Sequence, residues 1–300
     1  MKKIIAIILV VLCAFSLVAC GDKDNSANVL KKLSPTGKKV EQTQAVSFIK
    51  DRDKAYVESD MGKFENLSEQ WLEINVKYVD KSETQNGETI RRRKNITEII
   101  GVIGAISDGE LIMDLEVVHE IESVTIENGS KVYENESKEK AHVIVYRGMA
   151  YMDIKGTFNL NGEKSTEETK SMAPLHGVAF GNIDQINPKE LYGTGVYKIL
   201  GEIIDIGSEE KVDYYLSSDK IFIETDMDKE GNGYESNGVV QFEVEYVEQS
   251  GFVNTVRCYC DVEYRRESDT YSSKTETKLG LYIAQCEAQT ITVPDAGDYE

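Results

Sequence analysis

The chain is predicted to be mainly β, an α+β protein built on a long-stranded antiparallel sheet with a leading helix and a mid-chain helical insert. Three observations carry this. From Trp71 onward apolar and polar residues alternate with period two, two-residue turn signals recur between the alternating runs, and helical periodicity is confined to two places. With 300 residues, 40% of them hydrophobic, the chain can bury a real core.

The first segment is a signal, not an element of the fold. Lys2 and Lys3 precede an apolar run from Ile4 to Ala19 that only Ser16 interrupts. Such a run is shorter than the ~20 residues a helix needs to span ~30 Å of hydrocarbon, so it reads as the apolar region of a leader peptide. Leu17-Val18-Ala19-Cys20-Gly21 resembles the lipobox of bacterial lipoproteins, which implies cleavage before Cys20 and acylation of that cysteine. The competing reading is an ordinary secretory leader with a chance cysteine. Cys13 leaves with the leader in either case. Residues 20–43 then read as an acylated cysteine and a flexible tether: they are polar and mixed in charge, without a sustained period. Lys31, Lys32, Lys38 and Lys39 could touch headgroups from there, or simply be solvated.

Ala45, Phe48, Ile49, Arg52, Ala55 and Tyr56 recur at helical spacing and predict a helix over about 43–60, stopped by Met61-Gly62. Alternation begins at Trp71. Asn86-Gly87, Ser107-Asp108-Gly109, Glu127-Asn128-Gly129, Asn161-Gly162 and Gly231-Asn232-Gly233 mark turns between strands, and eleven or twelve strands are expected. In Val240–Tyr246 the side chains of Phe242, Val244 and Tyr246 face one side, while Gln241, Glu243 and Glu245 face the other. The expectation is one dry face and one wet face that carries the acids. Alternation fails between Met172 and Val212. There Asn187-Pro188-Lys189-Glu190 looks like a helix start and Val196, Ile199, Leu200 and Ile203 follow at helical spacing, predicting helix over 186–204. Residues 44–296 are expected to form one domain, with 297–300 as a tail.

This succession, together with a closing strand ending in Ile291-Thr292-Val293-Pro294 and the strand–turn–strand unit His142–Lys155, resembles the LolA/LppX-like superfamily of envelope lipoproteins and carriers. The resemblance is one of element order, without a diagnostic motif. It implies a curved half-barrel whose concave face is covered by helices and, in some members, encloses a lipid or acyl chain. Phe242, Val244 and Tyr246 are then candidate lining residues, or plain core.

Composition excludes more than it identifies. Lys and Arg number 34 against 53 Asp and Glu, a formal charge of −19, and losing residues 1–19 removes two lysines and takes it to −21. That charge opposes nucleic-acid binding and favours standing off an anionic bilayer. His119, His142 and His176 are the only histidines, and no nucleophile elbow, zinc-protease helix or phosphate loop accompanies them. The chain is read as a non-enzyme without cofactors. Asp226, Asp228, Glu230 and Asn232 occupy alternate positions as in the front of a calcium loop, but Asn237 stands where a bidentate carboxylate belongs, so a metal is not favoured over an acidic hairpin. Cys258 and Cys260 share a strand face, and either could bond Cys286 if their strands are neighbours. Arg91-Arg92-Arg93-Lys94 could dock on phospholipid or pair with strand acids.

The functional expectation is a lipid-anchored protein on the extracytoplasmic face of a bacterial membrane. It binds a lipid or other hydrophobic ligand or, alternatively, serves as a structural or protein-interaction module without a ligand cavity.

Overall fold

The structure, a computed structural model, describes residues 29–58, 71–105, 111–174, 211–231, 233–247 and 251–299. The leader, Cys20, the stop at Met61-Gly62, the turn at 107–109, the helix expected over 186–204, His176 and Asn232 lie outside these residues.

Strand β1 (Lys38–Val40) precedes helix α1 (Gln42–Glu58). Six long strands follow: β2 (Trp71–Asn86), β3 (Thr89–Ala105), β4 (Leu111–Glu127), β5 (Ser130–Tyr146), β6 (Met149–Leu160) and β7 (Glu163–Pro174). The second series is β8 (Val212–Leu216), β9 (Lys220–Asp226), β10 (Lys229–Gly231), β11 (Tyr234–Tyr246), β12 (Val253–Ser268) and β13 (Tyr271–Cys286). All belong to one antiparallel sheet of 13 strands in the order β1-β8-β9-β11-β12-β13-β2-β3-β4-β5-β6-β7, with β10 paired to β11 beside this path. The sheet is open. Its two meanders are joined through β13 and β2, whose register runs unbroken from Tyr271 opposite Asn86 to Cys286 opposite Trp71.

Local chemistry accounts for the meander. Asn128 and Asn161 take φ of 51°, each followed by a glycine, as the two-residue turns that match strand twist require. Arg147-Gly148 makes the same turn in the His142–Lys155 unit with an arginine at φ 48°, a signal that residue type alone conceals. Helix α1 starts from Glu41, whose backbone N–H donates to Gln44 Oε1 at 3.2 Å while its carbonyl receives the Gln44 and Ala45 amides. The helix buries Ala45, Ile49, Arg52 and Tyr56, the face that its spacing predicted.

The inner face is the dry one. Phe242, Val244, Tyr246, Val256, Cys258, Cys260, Leu279, Leu281, Ile74, Val76, Ile103, Met113, Leu115 and Val143 form one continuous core with α1. The outer face departs from expectation. Gln241 has no exposed surface and Glu243 only 5%, although alternation assigned both to solvent. They are covered by residues 29–36, which cross β13, β12 and β11 before β1 pairs with β8. The flexible tether over 20–43 is thus corrected for its described part: from Val29 on it is a docked strap. Irregular backbone that lies across strands carries no period of its own, which is why it reads as a linker.

A second strap runs the other way. β13 ends at Cys286, and Ile291 and Val293 pack on the outer face with Trp71, Val102 and Ile112 instead of closing the sheet. The expected closing strand through Pro294 is therefore absent. The Trp71 ring lies so close to Gly104 that any side chain there would collide with it. Tyr299 finishes this strap edge-on to Tyr151 at 5.5 Å, with Lys170 Nζ 5.2 Å from the Tyr299 ring centroid.

Candidate functional site

The strands outrun their core. β4 has no buried residue after Val117 and β5 none before Ala141; the β2–β3 hairpin has none between Val76 and Ile99. Ten residues of strand rise about 34 Å, so the hairpins project some 30 Å beyond the core, with no second layer among the described residues. Tyr78 and Tyr264 carry the apolar packing only onto the base of this ribbon. Its outer face carries cross-strand ion pairs: Lys94 with Glu122 at 2.5 Å, Arg92 with Glu83 at 2.6 Å, Lys274 with Glu263 at 2.9 Å, Lys138 with Glu120 and Lys155 with Glu168, and Lys274 also meets Glu276 of its own strand at 2.7 Å. The Lys138 ammonium holds the Glu120 carboxyl below its ordinary range, and Lys274 does the same for Glu263. Each exposed pair contributes at most about 1 kcal/mol.

Two shallow depressions open on this ribbon. One, of about 540 Å³, lies among Lys81, Arg92, Lys94, Glu122, Lys274 and Glu276; the other, of about 510 Å³, is bordered by Glu120, Lys138, Phe158 and Lys164. The basic run Arg91–Lys94 is divided by the strand pleat: Arg92 and Lys94 face outward into ion pairs, and Arg91 and Arg93 lie on the inner side. It does not form a single cationic patch.

Phe242, Val244 and Tyr246 lie at 3%, 0% and 2% exposure. The Tyr246 ring meets Phe48 edge-on at 5.7 Å, and the Arg52 guanidinium sits 5.0 Å from the Phe48 centroid and 5.6 Å from that of Tyr246 while donating to the Ser218 carbonyl. Protein side chains fill the space over this row. Burial pushes the Tyr246 phenol well above its usual range and Tyr56 to about 12.

The acidic loop is a hairpin. Asp226 ends β9 and lies 4.0 Å from Lys211, Asp228 accepts from the Gly238 amide at 3.1 Å, and Glu230 lies in β10 opposite Glu235. No three metal-ligating side chains converge among the described residues. Removing calcium with a chelator is expected to leave the melting temperature unchanged, since Asp226 and Asp228 already have protein partners and Glu230 does not converge with them.

The two described histidines, His119 and His142, are kept apart. His119 is on the inner side, 2.9 Å from Asn95 Oδ1, and His142 is on the outer side, 2.8 Å from Asp114.

Cys258, Cys260 and Cys286 are free thiols. β12 and β13 are indeed neighbours, but register places Cys258 opposite Leu281 and Cys260 opposite Leu279, whereas Cys286 lies at the far end of β13 on the other face. The disulfide considered from sequence is therefore excluded by register. Burial raises the Cys260 thiol to about 12, Cys286 to about 11, and Cys258 higher still. These groups, with Tyr56, Tyr78 and Tyr264 at about 12, stay protonated in the fold and ionise earlier when unfolded. The native state then holds more protons above about pH 9, so its stability is full below that point and falls as pH rises toward 12. Thermal melts at pH 7.5, 9 and 10.5 are expected to show a progressive drop, and thiol titration at pH 8 a negligible reaction of Cys258 and Cys260 until denaturant is added.

Sequence reading missed Gln241, Glu243 and Gly280, which seat the N-terminal strap. Gln241 Oε1 receives the Leu33 amide at 2.8 Å, and Glu243 receives Thr36 Oγ1 at 3.2 Å and Arg257 at 3.3 Å. Gly280 admits the Val29 carbonyl where a Cβ would collide. A glycine within an otherwise regular strand is the one available signal.

No protein family and no curated protein matches the sequence. Among solved structures the chain aligns with the translocator domain of the autotransporter NalP from Neisseria meningitidis, at 8% identity and a TM-score of 0.18 over 81% of this chain and 99% of that one. It aligns with the transport unit of the autotransporter AIDA-I from Escherichia coli at 7% and 0.22, over 81% and 83%. A beta-barrel-like protein of the domain of unknown function DUF1849 from Brucella abortus gives 9% and 0.14, over 70% and 98%.

Proposed function

We propose that the chain is a lipid-anchored, extracytoplasmic bacterial lipoprotein, held to its membrane through Cys20, that acts as a non-catalytic interaction module. The observation that carries the second half is the ribbon: about 30 Å of strand beyond the core, without a second layer among the described residues and with ion pairs along its outer face. A chain that only enclosed a ligand would gain nothing from it. Val132, Tyr133 and Leu160 are exposed at its distal end by 52%, 39% and 49%, where large apolar side chains offer contact area to a partner.

The other reading, a carrier of a lipid or hydrophobic small molecule, needs apolar space beside Phe242, Val244 and Tyr246. Phe48 and Arg52 occupy that position at Tyr246. The anchor itself rests on the lipobox, whose acyl chains satisfy the two-signal requirement for stable membrane attachment.

The test separates the two halves. The mature protein, purified from membranes, is expected to show acyl mass on Cys20 and nothing else bound by native mass spectrometry, and C20S is expected to leave the membrane fraction. A stoichiometric co-purifying lipid beyond the acyl anchor would favour the carrier. Absence of acyl mass would remove the anchor.

A further inference from the structure

The N-terminal strap fixes where the anchor leaves the body. Val29 lies against Gly280, near the middle of β13, and β13 is the sixth of twelve strands along the sheet. Leu33 is tied to Gln241 and Thr36 to Glu243, so the exit point is on the outer face and is held by specific contacts. Between Cys20 and Val29 stand only residues 21–28. Nine Cα steps span about 30 Å fully extended, and about 17 Å as a flexible coil.

Those lengths constrain orientation. From β13 to either side edge is five or six strand spacings, about 25–30 Å. The way round the end of β13, past Cys286, takes about 20 Å of strand rise. Turning α1 toward the bilayer would use most of the leash; presenting the outer face uses none.

The surface around the exit carries exposed cations. Lys31 and Lys32 are exposed there and border, with Arg257 and Tyr282, a groove of about 340 Å³. Of the neighbouring carboxylates, Glu243 is engaged by Arg257 and Asp261 by Lys278 at 2.7 Å, Glu73 accepts from the Tyr282 hydroxyl at 3.1 Å, and Asp213, Glu224 and Asp228 border a separate depression beside Lys32. Arg257 further lies 5.7 Å from the Tyr282 ring centroid.

Resting on the lipid-anchor reading, we infer that the outer face of β12–β13 around the strap is the membrane-facing surface, and that its partner is the phospholipid headgroup layer. Helix α1 then faces away from the membrane.

The experiment uses the acylated full-length mature protein in phosphatidylethanolamine–phosphatidylglycerol vesicles, with lysine acetylation rates read by mass spectrometry. Lys31, Lys32 and Lys278 are expected to react severalfold more slowly than in soluble C20S at the same concentration, with Lys54 on the exposed side of α1 unchanged. Inserting a long Gly-Ser segment between Cys20 and Val29 is expected to restore the outer-face rates while the protein stays on the vesicles. Equal protection of Lys54, or rates at Lys31 and Lys32 that match those of C20S, would overturn the orientation. Protection that persists in C20S would point to a second copy on this face, which also overturns it. Lack of acyl mass on Cys20 refutes the anchor, and the orientation with it, through a different readout.

Discussion

Replacing Tyr246 with alanine is expected to lower the unfolding free energy by about 3–5 kcal/mol, the range for truncating a large buried aromatic side chain. Tyr246 is 2% exposed and touches both Phe48 and Arg52, so its removal loses burial and takes away the surface on which α1 lies. The collapse available to the site is small, because the strand backbone beneath is held by β9 and β12 on either side. Urea denaturation should show a lower midpoint with an unchanged slope. Y271A provides the contrast: Tyr271 lies at the exposed end of β13, and its truncation is expected to stay within about 0.5 kcal/mol. Equal effects at the two positions would show that α1 contributes little to the core.

The second large effect is expected at Gly280. Valine is a better strand former than glycine, so propensity alone predicts that G280V stabilises. The structure predicts the opposite. A side chain at 280 would strike the Val29 carbonyl, and either the strand distorts or the strap leaves, a cost of about 1–3 kcal/mol by analogy with overpacked cores. If the strap leaves, Gln241 and Glu243 become solvated, and Lys31, Lys32, Lys38 and Lys39 become accessible to trypsin. Limited proteolysis should therefore cut G280V within residues 31–39 at concentrations that leave the parent chain intact. A variant as stable and as resistant as the parent would remove the strap from the fold.

The two variants mark where the sequence was readable. Tyr246 lies in a run whose alternation identified the inner face correctly, and the helix over 42–58 was found within two residues because its apolar spacing is regular. The Asn-Gly turns at 128–129 and 161–162 announced themselves through backbone chemistry. Arg147-Gly148 and Ser268–Tyr271 turn equally well with less distinctive residues, since tight pairing of the flanking strands enforces the turn. The disulfide alternatives could not be settled, because strand adjacency is a matter of topology and opposition is a matter of register. The site suffered most. Phe242, Val244 and Tyr246 were visible as an apolar row, but periodicity cannot say whether a ligand or Phe48 fills the space above them.

By itself, the sequence determined the antiparallel architecture, the leading helix, the inner face of the Val240–Tyr246 strand and the chemical case for an anchor at Cys20, because each is written in local spacing. Tertiary structure alone decided which polar face is wet. Gln241 and Glu243 share the pleat side of Glu276 and Lys274, yet the first two are covered and the last two are half-exposed on the ribbon. The difference lies in residues 29–36, whose irregular backbone covers Gln241 and Glu243, as Ile291 and Val293 cover Trp71 elsewhere on the outer face. Period two sorts side chains to two sides of a strand; what lies over either side is settled by chain segments distant in sequence, and their contacts leave no period to read.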